Sequence, residues 1–192
     1  MNKAIWRGVM TGGITVGNPN ATDLTRCRSN ERCRFVLDHA SSELIDARLT
    51  IAPAIHHLRN DTVNGAHIMS EMVGFDVIQQ YKVIISLEGN DVASGLKWNL
   101  QSESVVVMSP PTRTSWAMEE LLQPWVHYIP MLPDGSNVEE MVRWALDNEE
   151  QAKRISERAT LFIYDLLCHP DAENDDRMVK EDIARRYRAL WH

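Results

Sequence analysis

No apolar run in the 192 residues approaches the roughly 18 that a membrane-spanning helix needs, so a transmembrane span is not expected. The first residues, Met1-Asn2-Lys3-Ala4-Ile5-Trp6-Arg7-Gly8, lack the apolar core of a signal peptide, which leaves a cytoplasmic location as the default expectation. Cysteine is scarce and odd in number. Cys27, Cys33 and Cys168 match no zinc or redox spacing and read as reduced structural thiols. His56, His57 and His67 have no carboxylate or thiol at regular spacing and read as a chance grouping. No Asp-x-Asp pair offers paired carboxylates to a divalent ion, so no metal and no cofactor are expected. Bases are outnumbered, with 20 Lys and Arg against 27 Asp and Glu and a net charge of −7. A general nucleic-acid or anionic-membrane binder needs a basic face and is disfavoured; a local basic pocket for a diphosphate is compatible with this balance.

Apolar residues at 44% and charged residues at 24% are ordinary for a folded globular chain, and the length suits one good core. The most informative stretch is Val83-Ile84-Ile85-Ser86-Leu87 followed by Glu88-Gly89-Asn90-Asp91-Val92-Ala93-Ser94. An unbroken apolar strand empties through a polar turn into a helix expected from the spacing of Val92, Leu96 and Leu100. The amides from Asp91 to Ser94 are expected to be the open donors of that helix's first turn, where an anion is favoured. Further strands are expected at Lys3 to Arg7, Ile45 to Thr50, Val105 to Met108 and His127 to Met131, and Gly8 to Gly13 reads as a loop able to approach a ligand. Asn18-Pro19-Asn20 reads as a turn and His56 to Asn64 as loop. Helices are expected from about Ala66 to Gln80, near Ser115 to Leu122, and from a Thr22 or Asp23 cap through Arg26, Arg28, Arg32 and Arg34. Alternation of this kind implies a parallel sheet.

Beyond Pro133 the periodicity is helical throughout. Ser136 with Glu139, or Asn137 with Glu140, reads as a capping box, and Val138, Met141, Val142, Ala145 and Leu146 line one face. Ala152, Ile155, Ala159, Phe162, Ile163 and Leu166 outline the next helix, with Glu149/Lys153 and Glu150/Arg154 as solvent-side pairs. His169-Pro170-Asp171 breaks it. Val179, Ile183, Tyr187 and Leu190 outline a last helix.

A second distinctive string, Trp116-Ala117-Met118-Glu119-Glu120-Leu121-Leu122-Gln123-Pro124-Trp125-Val126-His127-Tyr128-Ile129-Pro130, follows the first. Together with Trp6-Arg7-Gly8 and Tyr81-Lys82, the two strings resemble glycosyltransferase family 90, from about Trp6 to about Leu167. That family includes lipopolysaccharide-modifying, capsule-associated and protein O-glucosyltransferases. The resemblance implies a three-layer, Rossmann-like α/β domain with a parallel sheet, similar to the carboxyl-terminal half of a GT-B glycosyltransferase. Residues 1–168 are then a nucleotide-sugar-binding domain and 169–192 a helical extension. It also implies a UDP-sugar donor, a saccharide or protein acceptor, and another α/β half absent from this chain. In the family the acceptor base lies in that other half, so no Asp or Glu here is assigned as catalytic base.

The resemblance implies donor binding, residue by residue. Trp6-Arg7-Gly8 matches an aromatic-Arg-Gly motif and would set the Arg7 guanidinium against the diphosphate, with Gly8 and Thr11 in the adjoining loop; the alternative is that Arg7 pairs with a carboxylate. Asp91, Val92, Ala93 and Ser94 form the turn whose amides and Ser94 hydroxyl would hold the β-phosphate, with Glu88 and Gly89 ahead of it also counted as donor-binding, although Asp91 could equally cap the helix. Leu96 stands where protein O-glucosyltransferases have Arg, and Lys97 is the nearest cation; Gly95-Leu96-Lys97-Trp98 looks closer to bacterial-type members. Trp116 and Glu119 lie where a ribose or sugar would be held, while Glu119 could equally serve the first turn of a helix. Trp125, Val126, Tyr128 and Ile129 read as packing residues and His127 as structural. The expected function is transfer of a sugar from a UDP-sugar to a hydroxyl. The alternatives are a truncated, non-catalytic nucleotide-binding module and a structural interaction domain.

Overall fold

Val83, Ile84, Ile85 and Ser86 are all buried, as are Val105 to Met108. Strands covered on both faces in this way belong inside a parallel sheet. The computed structural model describes residues 1–12, 20–50, 58 and 60–191. Along the chain come β1 (Ala4–Gly8), α1 (Asp23–Arg28), α2 (Glu31–Asp38), β2 (Ile45–Thr50), a hairpin of β3 (Thr62–Val63) and β4 (Ala66–His67), and β5 (Met69–Ser70). Then follow α3 (Phe75–Ile78), β6 (Val83–Ser86), α4 (Leu96–Leu100), β7 (Val105–Met108), a 3₁₀ turn at Glu119–Leu121, β8 (Ile129–Pro130), α5 (Val138–Asp147), α6 (Glu149–Cys168) and α7 (Ala172–Leu190). Among the described residues the main sheet has six parallel strands in the order β5-β2-β1-β6-β7-β8. This is the doubly wound, Rossmann-like order. The direction of winding reverses between β1 and β6, and the crevice beyond the carboxyl ends of those two strands is where such sheets hold ligands.

The registers Ala4↔Val83, Val83↔Val105 and Val107↔Ile129 make β6, β7 and β8 parallel neighbours, as the apolar runs predict. Alternation along the strands divides the core. Trp6, Val83, Ile85, Val105 and Val107 pack with Phe35, Val36, Val138 and Val142. On the other face, Val106 and Met108 meet Leu96, Leu100, Ala159 and Ile163, and Ile5 and Ile84 meet Tyr81. Helices therefore cover both faces.

Several expectations are corrected. No helix runs from Ala66 to Gln80: Asn64 and Gly65 both have positive φ, 50° and 80°, and turn the chain into the β3–β4 hairpin. An Asn-Gly pair is the sequence that favours this turn. Only Phe75–Ile78 is helical there. The helix expected at Ser115 to Leu122 is one 3₁₀ turn, entered through Met118 at φ 51°. The strand expected from His127 starts at Ile129, because Gln123 to His127 close a turn in which the Trp125 amide donates to the Tyr128 carbonyl and Trp125 takes φ 63°. Trp125 is consequently half exposed and stacks edge-on against Trp144, whereas Tyr128 and Ile129 are buried. Thr22 does cap α1, but the basic stretch is split in two, with Asn30 capping α2.

Neither capping box forms. The Asn137 side chain accepts from the Leu132 amide, Ser136 bonds Asp134, and Glu139 accepts from Ser42. Glu149 pairs with Lys82. Cys27 and Cys33 are not free thiols: the two buried cysteines form a disulfide across the junction of α1 and α2, with Cα atoms 4.9 Å apart. Spacing alone could not reveal it, since the approach of the two cysteines depends on the turn at Ser29-Asn30. The Asn18-Pro19 turn and His56-His57 lie outside the described residues. Among the described residues no helix is long and apolar enough to cross a membrane.

Candidate functional site

A cleft of about 190 Å³ opens at the reversal point, lined by Arg7, Gly8, Arg32, Leu87, Ser94 and Asn99 together with apolar residues of β1 and β6. The loop after β1 and the loop after β6 form its rim. They touch closely. A Cβ on Gly12, which has φ +77°, would lie 3.0 Å from the backbone of Gly89, and one on Gly89 would lie 2.5 Å from Thr11 Oγ1 and 2.8 Å from Arg32 Nη2. The positive φ and the backbone neighbour favour glycine at position 12, while a side chain at position 89 would have to displace Thr11 and Arg32. The Gly12 amide donates to Asn90 Oδ1 at 2.9 Å, joining the two loops directly.

Arg7 projects from β1 with its fork occupied. Nη2 donates to Asp46 Oδ2 at 2.7 Å, while Nη1 donates to the carbonyls of Asp46 and Trp6 at 2.7 and 2.9 Å. The carboxylate-paired alternative is thus what the structure contains. Asp46 also accepts from the Tyr81 hydroxyl at 2.8 Å and has Arg48 at 3.9 Å. Burial raises the Asp46 carboxyl pKa, but hydrogen bonds from Arg7 and Tyr81 and the charges of Arg7 and Arg48 outweigh it and hold it below its ordinary value. Arg7 Nε is buried and unpartnered among the described residues.

The turn after β6 differs from expectation. Helix α4 begins at Leu96 with Gly95 as its cap residue, so the Asp91 to Ser94 amides belong to a loop and not to a helical first turn. Asp91 accepts from the Val92 amide and caps no helix. Glu88 accepts from the Thr112 amide and hydroxyl, tying this loop to the one after β7, and Arg113 donates to the Asn90 carbonyl. Ser94 is exposed on the rim beside Ala93 and Val92, which are half-buried.

Lys97 and Glu119 form a buried pair with Nζ to Oε1 at 3.0 Å and side-chain exposures of 11% and 2%. Glu119 also accepts from the Ser115 amide at 2.7 Å and hydroxyl at 2.8 Å. Burial raises the Glu119 pKa, but the hydrogen bonds from Lys97 and Ser115 prevail and lower it. Lys97 also lies 5.6 Å from the centre of the exposed Trp116 ring. The structure thus brings Lys97, Trp116 and Glu119 together beside the loop after β7, with Glu88 and Glu119 lining one small recess. Arg7, Gly8 and Ser94 share the main cleft. A larger groove of about 790 Å³ lies at the opposite, amino-terminal edge, where Lys82 and Glu103 face α6, and it contains none of these residues.

Asn30 and Asp46 escape the sequence reading, and Arg32 and Asn90 are read there only as part of a basic helix and of a turn. Asp46 and Arg48 were detectable as a polar pair at i, i+2 in an otherwise buried strand. Asn30 could have been noticed as a cap residue.

The profile of Glycosyl transferase family 90 matches residues 24–171. The chain belongs to that family. Trp6-Arg7-Gly8 lies ahead of the matched stretch, so the match begins later than the resemblance suggested. Among curated relatives, the O-glucosyltransferase LpsA of Dichelobacter nodosus is 41% identical over 94 residues, 49% of this chain and 29% of the relative. Protein O-glucosyltransferase 2 of Danio rerio is 31% identical over 157 residues, 81% of this chain and 27% of the relative. Protein O-glucosyltransferase 3 of Homo sapiens is 30% identical over 99 residues, 51% and 19% respectively. The chain spans less than a third of the length of each of these three relatives.

Proposed function

We propose that this chain is the donor-binding part of an O-glycosyltransferase, taking a UDP-sugar such as UDP-glucose and passing the sugar to a saccharide or protein hydroxyl. The observation that carries this reading is the cleft at the β1/β6 reversal, where Arg7, Gly8 and Ser94 converge. Names that specify O-glucosyl transfer among the relatives support glucose as the sugar. In the reaction the bond from the anomeric carbon to the diphosphate oxygen breaks, a bond from that carbon to the acceptor oxygen forms, and the acceptor proton leaves. The role of this chain is to hold the departing UDP and stabilise its growing negative charge.

Arg7 meets the diphosphate by exchanging the Asp46 carboxylate for phosphate oxygens; Tyr81 and Arg48 stay behind to hold Asp46. The loop of Glu88, Gly89, Asp91, Val92 and Ala93 presents its backbone, Ser94 its hydroxyl, and Thr11 supports the opposite rim. Lys97 is neutralised by Glu119 and sits under Trp116, which offers a ring face to the nucleoside or sugar. No residue here is assigned as acceptor base, and no metal is invoked. Calorimetric titration of the purified chain with UDP, UDP-glucose and uridine tests the reading. UDP and UDP-glucose should bind and uridine bind far more weakly. Failure of both nucleotides to bind would refute it.

A further inference from the structure

The two loops that rim the cleft are joined mainly through one short segment, residues Asn30 to Arg32, enclosed between the disulfide-bonded Cys27 and Cys33. Arg32 Nε donates to the Glu88 carbonyl at 3.0 Å and Nη2 to the Leu87 carbonyl at 2.7 Å, both in the loop after β6. Nη1 donates to the Val9 carbonyl at 3.2 Å and to Thr11 Oγ1 at 2.8 Å, both in the loop after β1. A guanidinium has five N–H donors. With four committed, and spread over two loops, this one can no longer offer phosphate a free two-pronged fork. It acts as a brace.

Asn30 completes the brace. Its side chain is buried; Oδ1 accepts from the Cys33 amide at 3.0 Å, and Nδ2 donates to the Gly12 carbonyl at 2.5 Å. Arg32 is further held against the Trp6 ring, 5.8 Å from its centre. Its four acceptors are three carbonyls and a hydroxyl, which leave its charge uncancelled at the edge of a cleft that also contains Arg7. Burying a cation among neutral acceptors is costly, and only a guanidinium offers enough N–H donors to reach all four acceptors on the two loops.

We infer that Asn30 and Arg32, on the segment closed by the Cys27–Cys33 disulfide, are positioning residues that hold the Gly8–Gly12 and Leu87–Asn90 loops in register for the donor diphosphate. This inference rests on the donor-site reading proposed above. The clamp fixes the loops before the ligand arrives, so their ordering does not have to be supplied at binding.

The test compares Arg32→Lys, Arg32→Gln and Asn30→Ala with the unaltered chain by calorimetry on UDP and uridine, together with hydrogen exchange at the Gly12 and Gly89 amides without ligand. Positioning through the fork predicts that UDP affinity falls about tenfold or more in Arg32→Lys as well as in Arg32→Gln, because an ammonium cannot span both loops. Uridine binding stays unchanged, and both amides exchange faster. Asn30→Ala should accelerate the Gly12 amide more than the Gly89 amide. Recovery of full UDP affinity in Arg32→Lys would overturn the inference in favour of charge alone. Unchanged UDP affinity and exchange in all three variants would overturn it outright. If Arg32→Gln does not fold, Cys27→Ala/Cys33→Ala, whose guanidinium is intact, carries the same comparison and should lose UDP affinity with faster Gly12 exchange. An unaltered chain that fails to bind UDP would instead refute the donor-site reading, and faster exchange in the variants would then show a clamp that serves no donor.

Discussion

Arg7 and Lys97 are both cations already paired with a carboxylate, and the difference in burial of the two carboxylates, Asp46 and Glu119, sets different consequences for removing each cation. Arg7 faces the cleft, and its partner Asp46 keeps Tyr81 and Arg48 when Arg7 leaves. Arg7→Ala is expected to weaken UDP binding by about 1.5–3 kcal/mol with little effect on uridine, measured calorimetrically on folded protein. Asp46→Asn removes the competing anion and should tighten UDP binding; weaker binding would mean that Asp46 aims Arg7 at phosphate. Lys97, by contrast, neutralises a glutamate only 2% exposed. Lys97→Met should cost about 3–5 kcal/mol in chemical denaturation, because Glu119 is left charged and buried, and Lys97→Met/Glu119→Leu should recover part of that loss. The folded pKa values of Asp46 and Glu119 both lie below their ordinary values. The unfolded chain therefore takes up protons first as the pH drops. The stability these two carboxylates contribute is fully present above the ordinary carboxyl pKa of about 4 and is lost as the pH falls through their lower folded values. Denaturation midpoints from pH 7 down to pH 3 should show this decline, and Glu119→Gln should flatten part of it.

The short helices around the site depend on their ties more than on their own length. Helices α1 and α2 have six and eight residues, below what is stable alone in water, and the disulfide joins them. Cys27→Ala/Cys33→Ala should lower stability by about 2 kcal/mol, as expected for a short closed loop. Alkylation of denatured, unreduced protein should label Cys168 alone, and labelling of all three cysteines would disprove the bond. The glycine loops are equally constrained. Gly89→Ala would drive a methyl against Thr11 and Arg32, so it should lower UDP affinity even where the protein stays folded. The strands announced themselves because unbroken apolar runs such as Val105 to Val107 have few other places to go. The Ala66 to Gln80 stretch misled because its apolar spacing suits a helix, while Asn64-Gly65 and Gly74 impose turns that periodicity does not register.

Across the whole molecule, α7 stands apart. None of its residues is buried, with Ile183 61% and Tyr187 62% exposed, and the family match ends at residue 171. Deleting residues 172–192 should change unfolding stability by less than about 1 kcal/mol and leave UDP binding intact. Since the chain spans less than a third of its curated relatives, the acceptor-side chemistry is proposed to come from outside these 192 residues. The chain alone should then bind donor without efficient sugar transfer. Robust transfer in a coupled assay would place the acceptor base within it.

Apolar runs, turn residues and helical periodicity carried enough information to specify an α/β chain with β6, β7 and β8 as parallel neighbours, because burial of strand and helix faces is a local pattern written residue by residue. The two strings that carry the resemblance to family 90 were legible because each is a contiguous stretch of the chain. Pairings between distant side chains were not. That Arg7 meets Asp46, that Lys97 meets Glu119, that Cys27 bonds Cys33, and that Arg32 joins Val9 and Thr11 to Leu87 and Glu88 are consequences of which strands lie side by side and where each loop leaves the sheet. Hydrogen bonds form at about 3 Å, and only the folded chain brings those groups within that reach.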